Sequence, residues 1–176
     1  MMIYLLLAIM NMAGNCKKDN PLKDDDLSIK RTNYTGSQLG IDGYYYQKVD
    51  ATYFSIYFFY RNGIVLSAGG SFSNESEMNN YIVNEFINNK SYQNSKYDWG
   101  VFQIENNTIL FEHWYPSEYP YKAYVRAGSI LNDTTFLINE SYRMQDGKKT
   151  EVKTRNETYH FKQFSTKPDS TNNFVK

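Results

Sequence analysis

The amino-acid sequence predicts an all-β protein: an antiparallel up-and-down barrel of about eight or nine strands, with one helix near residues 75–89. Three observations predict it. Runs rich in aromatic and β-branched residues alternate in period two, which suits a pleated surface with one face buried. Short turn signals separate them at regular spacing, which favours a meander. A meander of that many strands removes its exposed edges by closing on itself.

The first runs are Gly43 to Lys48 (GYYYQK) and Tyr53 to Tyr60 (YFSIYFFY). Asn62-Gly63 then precedes Ile64-Val65-Leu66. Asn-Gly between apolar runs signals a hairpin, because both residues tolerate positive φ. Trp99 to Glu105 sets Gly100, Phe102 and Ile104 on one face. After the turn at Asn106-Asn107, Thr108 to Trp114 returns with Ile109, Phe111 and His113 alternating against Leu110, Glu112 and Trp114. In Tyr121 to Ala127, Tyr121, Ala123, Val125 and Ala127 oppose Lys122, Tyr124 and Arg126, a strand with one wet face. Turns at Asn132-Asp133 and Asp146-Gly147 bound the strand that starts at Thr134, and Thr158 to Phe164 closes the body.

One segment has a different period. Asn74 with Glu77 three residues on is a helix-capping pair. Met78, Tyr81, Ile82 and Phe86 then recur at three- and four-residue steps, with Val83 and Ile87 widening the stripe. Such a mixed apolar stripe is expected to pack on a sheet or close a barrel end.

Ile3 to Met10 is an unbroken apolar run. Spanning a bilayer takes about 20 such residues, so this run reads as the core of a secretory signal. Cys16, the one cysteine in the chain, follows Ala13-Gly14 and precedes Lys17-Lys18-Asp19-Asn20. That arrangement resembles a bacterial lipoprotein signal. The resemblance implies cleavage before Cys16, acylation of its sulfur and new amine with palmitate-type chains, and a membrane anchor. At about 0.8 kcal/mol per buried methylene, several acyl chains hold a protein stably. The expected organisation is a signal peptide over 1–15, a flexible tether over 16–40, a β-barrel domain over 41–165 and a disordered tail over 166–176.

Lysine plus arginine equals aspartate plus glutamate, at 19 each, so the chain lacks the long-range field of a nucleic-acid binder. One cysteine excludes an intramolecular disulfide framework and every zinc pattern that needs two thiols.

Ile41-Asp42-Gly43-Tyr44-Tyr45, Phe59-Tyr60-Arg61-Asn62-Gly63, Trp99-Gly100-Val101-Phe102-Gln103-Ile104, Gly128-Ser129-Ile130-Leu131 and Tyr159-His160-Phe161 carry, in that order, a second resemblance. Together they resemble the lipocalin-like lipoproteins of Bacteroidota, in which a small calycin-type barrel follows a lipidated cysteine. This resemblance implies a binding role; Cys16-Lys17-Lys18-Asp19 resembles the mature N-termini of Bacteroidota lipoproteins, which implies anchoring at the outer membrane of the cell envelope, on its periplasmic side or at the cell surface.

Chemical motifs are sparse. His113 and His160 sit on strands without an HExxH or paired-histidine spacing, and no serine lies in Gly-x-Ser-x-Gly. No phosphate-cradling glycine run occurs. Asp98, Glu105, Glu112 and Glu118 fall on or near the second hairpin, with Glu105 and Glu112 read as solvated. The expectation is a non-enzyme with no metal and no cofactor. Aromatic excess stands out, with 17 Tyr and 11 Phe. Tyrosine and tryptophan offer an apolar body and a polar tip. Trp114, Tyr115, Tyr119 and Tyr121 crowd a proline-containing loop and, with Trp99, are the candidate contact residues. The expected function is binding of a small apolar ligand in the barrel mouth, or of an envelope protein on this loop. The alternative is a structural or accessory lipoprotein of an envelope complex, with a packed, ligand-free barrel. A cavity of roughly 300 Å³ or more distinguishes the first from the second.

Overall fold

A computed structural model of the chain describes residues 23–116 and 119–176. Eight antiparallel strands close an up-and-down barrel in sequence order: β1 (Gly43–Lys48), β2 (Tyr53–Phe59), β3 (Ile64–Ser71), β4 (Trp99–Glu105), β5 (Thr108–Tyr115), β6 (Lys122–Asn132), β7 (Thr135–Gln145) and β8 (Lys148–Gln163). β1 pairs with β8 to shut the sheet, Tyr45 opposite Phe161. A Cβ at Gly43 would lie 2.0 Å from the Lys162 carbonyl oxygen, so only glycine permits that approach. The Asn62-Gly63 hairpin forms as read, with Gly63 at φ 78°.

The barrel has two unlike ends. Its closed end lies where β2 meets β3 and β6 meets β7, and rings fill that half. Tyr45, Phe59, Phe102, Phe111, Phe136 and Tyr159 are all buried there. Phe136 stacks on Tyr159 at 4.9 Å between ring centres, and Phe59 meets Phe102 at 5.0 Å. Residues 34–41 seal the end from outside: Tyr34, Leu39 and Ile41 join the ring cluster, and the Gly40 amide donates to the Asp133 carbonyl at 2.8 Å. The other end, reached by the β1–β2, β5–β6 and β7–β8 connections, is the mouth.

The helix α1 (Glu75–Tyr81) starts at the capping pair that the sequence indicates. Asn74 Oδ1 accepts from the Glu77 amide at 3.0 Å, and Glu77 Oε2 from the Ser73 amide at 2.7 Å. Winding widens to a π-helix over Ile82–Asn89. Met78, Ile82 and Phe86 cover the outer face of the barrel over Tyr44, Ile56, Phe58, Leu66 and Trp99. Val83, read as part of the stripe, faces solvent instead.

Residues 23–40, read as flexible tether, run across the outside of the barrel as a strap. The Asp25 carboxylate accepts from Arg143 Nε and Nη2, both at 2.6 Å, and from the Ala123 amide at 3.0 Å. Glu112 turns outward and accepts from the Ser28 and Ile29 amides at 2.6 and 2.8 Å. Read from sequence as solvated, Glu112 is 1% exposed, because the strap covers it. Leu27 and Ile29 pack on the outer apolar cluster. Local composition cannot reveal this: each partner lies some eighty or more residues away. The C-terminal segment also differs from the expected disordered tail. Lys167 Nζ donates to the Ile41 and Phe59 carbonyls and lies 4.1 Å from the centre of the Tyr60 ring. The Tyr60 hydroxyl donates to the Pro168 carbonyl at 2.9 Å, and Val175 is buried. Residues 1–22, and with them the expected signal peptide and Cys16, lie outside the described residues. Among the described residues, no helix is long and apolar enough to cross a membrane.

Two stability outcomes follow. Phe136→Ala removes a ring from the centre of the closed half and should cost about 3–5 kcal/mol in urea unfolding. Glu112→Leu strands the Ser28 and Ile29 amides; it should cost about 1–3 kcal/mol and expose residues 23–33 to limited proteolysis while the barrel core stays resistant.

Candidate functional site

Above the ring cluster the barrel opens into a cavity of about 530 Å³. Alternation places Ser55 and Tyr57 of β2, Ser67 and Gly69 of β3, His113 and Tyr115 of β5, Arg126 of β6, and Glu157 and Tyr159 of β8 on its walls. Asp98, just before β4, completes the wall where β3 runs on past its last β4 partner. Sequence reading took Arg126 for the wet side of its strand. The structure inverts that face: Ala123 and Val125 lie outward, buried beneath the strap, and Arg126 points into the barrel.

The polar lining is organised around Arg126. Its Nη2 pairs with Glu157 Oε2, and its Nη1 donates to the Tyr115 hydroxyl at 2.9 Å. Glu157 Oε1 also faces Arg155 Nη1 at 3.6 Å, and Arg155 Nε donates to Ser141 Oγ at 2.9 Å. The Tyr159 hydroxyl donates to Glu157 at 3.3 Å and reaches Ser55 Oγ at 3.2 Å. Arg126 Nε is buried without an acceptor.

His113 stacks on Tyr115 at 4.7 Å. Its Nδ1 meets the Trp114 carbonyl at 3.0 Å, and a carbonyl only accepts, so Nδ1 carries the proton. Burial, reinforced by the charge of Arg126, lowers the imidazole pKa to about 4, so the ring is neutral. Nε2 is buried without a well-formed hydrogen bond, and the Tyr97 backbone is a second polar neighbour of the ring. Neither ring nitrogen touches a carboxylate. His160, the other histidine, lies exposed on β8. Burial raises the Asp98 carboxyl to about 7, against a Ser95 hydrogen bond that lowers it. Among the described residues, no group of three or more His, Cys, Asp or Glu could hold a metal ion.

The aromatic candidates separate. Tyr115 and Trp114 both border the cavity, Tyr115 with the ring that stacks on His113. Trp99 is fully buried on the outer face, its Nε1 donating to the Tyr92 carbonyl at 3.1 Å. Trp114 is also buried outside, donating from Nε1 to the Asp25 carbonyl at 2.7 Å beneath Lys96. Tyr121 is half-buried against Tyr97, and Tyr119 stands 73% exposed beside it. Sequence reasoning missed Arg126, Glu157, Tyr57 and Tyr159, because nothing local says which face of a doubly covered strand is the interior. A larger groove of about 690 Å³ lies outside, between the strap and the C-terminal segment. It is an open furrow on the surface, whereas the mouth cavity is walled by strands.

No protein-family model matches the chain, and no curated protein or solved structure matches it.

The fold favours protonated Asp98, so its contribution is complete below the ordinary carboxylate range and is lost as pH rises from about 4 through about 7. Asp98→Asn should therefore raise the urea midpoint over the parent at pH 8 and leave it near the parent value at pH 4. His113 works in the opposite direction, losing stability as pH falls from its ordinary 6.5 towards about 4. It is common to both proteins and cancels in the difference.

Proposed function

We propose that the protein is a non-catalytic, lipid-anchored binding module of the cell envelope that holds a small molecule in the open half of its barrel. The observation that carries this reading is the cavity of about 530 Å³ walled by strands on a rigid aromatic floor. Ligand sites are concave, largely preformed and furnished with a few convergent polar groups. The lining supports a ligand with an apolar body, as expected from sequence, that also makes hydrogen bonds: Arg126, Glu157, Ser55, Ser67 and five tyrosines face it. The anchor rests on the sequence around Cys16, and the outer-membrane location rests on the same resemblance. An accessory lipoprotein with a packed barrel needs an interior filled from end to end, and only the closed half meets that requirement.

Native mass spectrometry of protein purified from its own envelope tests the binding role. The expected spectrum shows a retained small-molecule adduct that Ser67→Phe, which fills the cavity from β3, removes. Parent protein that appears, like Ser67→Phe, only at the mass of its own chain with no adduct would overturn the reading. Denaturing mass spectrometry of the same material should give a chain that begins at an acylated Cys16; an unmodified chain retaining Met1 in the soluble fraction would overturn the anchor.

A further inference from the structure

We propose that the ligand of the mouth cavity is a small anion, a carboxylate or sulfonate on an aromatic or otherwise flat body, received on the Nε–Nη2 edge of Arg126. This inference rests on the cavity-binding reading and adds the chemical class of the ligand.

The first support is the hydrogen bonding of Arg126. A guanidinium presents a side-on edge, Nε–H beside one Nη2–H, whose spacing matches the two oxygens of a carboxylate. Glu157 takes only the Nη2 half of that edge through Oε2. The Nε half is buried with no acceptor. Arg126 is itself 8% exposed, so water does not readily supply what the protein omits.

The second support is charge. Two guanidiniums, Arg126 and Arg155, share the one carboxylate of Glu157. His113 is neutral, and burial keeps Asp98 from ionising fully near neutral pH. With Arg155, which lies outside the cavity lining and is 35% exposed, the network around Glu157 holds more positive than negative charge, which favours an incoming anion. Sharing also makes exchange feasible. When an anion takes the Nε–Nη2 edge, Glu157 can swing wholly to Arg155 and keep the Tyr159 hydroxyl, so no buried carboxylate is left unpaired.

The third support is the shape of the remaining wall. Tyr57, Tyr115 and Tyr159 bring three rings to the space beside Arg126. Tyr57 and Tyr159 lie 5.3 Å apart between ring centres, and Tyr115 is braced by the stacked His113 ring. Burial raises the Tyr57 and Tyr159 hydroxyls, so both stay protonated; the Tyr159 hydroxyl goes on donating to Glu157, and Tyr57 is the donor left for an anion. Rings beside a guanidinium suit a flat body carrying one acidic group.

Isothermal titration calorimetry of the full chain with 2-naphthoate and with the neutral 2-naphthamide tests the assignment, since the probes share their rings and differ in charge. The expected result is naphthoate binding at least tenfold tighter than naphthamide. The paired substitution Arg126→Gln with Glu157→Gln removes the buried pair together and leaves Arg155, 35% exposed, to solvent; circular dichroism checks that it folds, and it should erase the preference. Ser67→Phe should abolish binding of both probes. Equal affinities, a preference for the amide, or a preference that survives the paired substitution would overturn the anion assignment and leave cavity binding standing. Binding that survives Ser67→Phe would place the probes outside the cavity and overturn the assignment. Failure of both probes to bind the parent protein would remove the anion assignment, while the adduct seen or missing in native mass spectrometry decides the broader reading separately.

Discussion

Phe59 sits at the centre of the closed half of the barrel, with the rings of Tyr45, Phe102, Phe111 and Phe136 between 5.0 and 5.8 Å from its own. These five rings come from β2, β1, β4, β5 and β7, so one cluster ties together strands from all around the circumference. An eight-stranded barrel has an interior only just wide enough for side chains to fill. Filling half of it with rings uses that width and fixes the strands. The open half inherits its shape from this floor: Tyr57 and Tyr159 belong to the cluster at one side and line the cavity at the other.

A barrel so filled still has a greasy exterior, since β1 to β5 carry apolar residues on both faces. The helix covers one part of it, with Phe86 6.3 Å from Phe58 and 5.2 Å from Tyr92. The strap covers another part, held by polar bonds and by the packing of Leu27 and Ile29. Asp25 with Arg143, and Glu112 with the Ser28 and Ile29 amides, give charged groups fully used acceptors or donors where burial would otherwise be costly. Strands buried on both faces lose the simple rule that the apolar face is the interior.

That loss is why the site was harder to read than the fold. Strand positions other than the first ten residues of β8, the Asn62-Gly63 hairpin, the Asn74–Glu77 cap and the meander order were legible, because each depends on neighbours within a few residues in the chain. Tyr115 was legible as a candidate, and Trp114 and Trp99 were recognised as unusual, but their separation to opposite sides of the sheet was not. Arg126 looked like a solvated strand residue, but Ala123 and Val125 on the other face are buried outside the barrel, with the strap's Asp25 bonded to the Ala123 amide. Its partner Glu157 lies two strands further along the chain, on β8, and only the closed sheet brings the two together.

By itself the sequence determined the period-two strands, the turns between them and the one helix, since backbone conformation follows local sterics and capping. It also placed the single cysteine behind a short apolar run. Tertiary structure alone decided which face of each strand became the interior, that residues 23–40 wrap the barrel, and that the aromatic residues divide between floor, wall and outer cover. The physical reason is common to all three. Each depends on pairing a side chain with a group far along the chain, and a buried charge such as Arg126 or Glu112 finds its partner only after the barrel has closed.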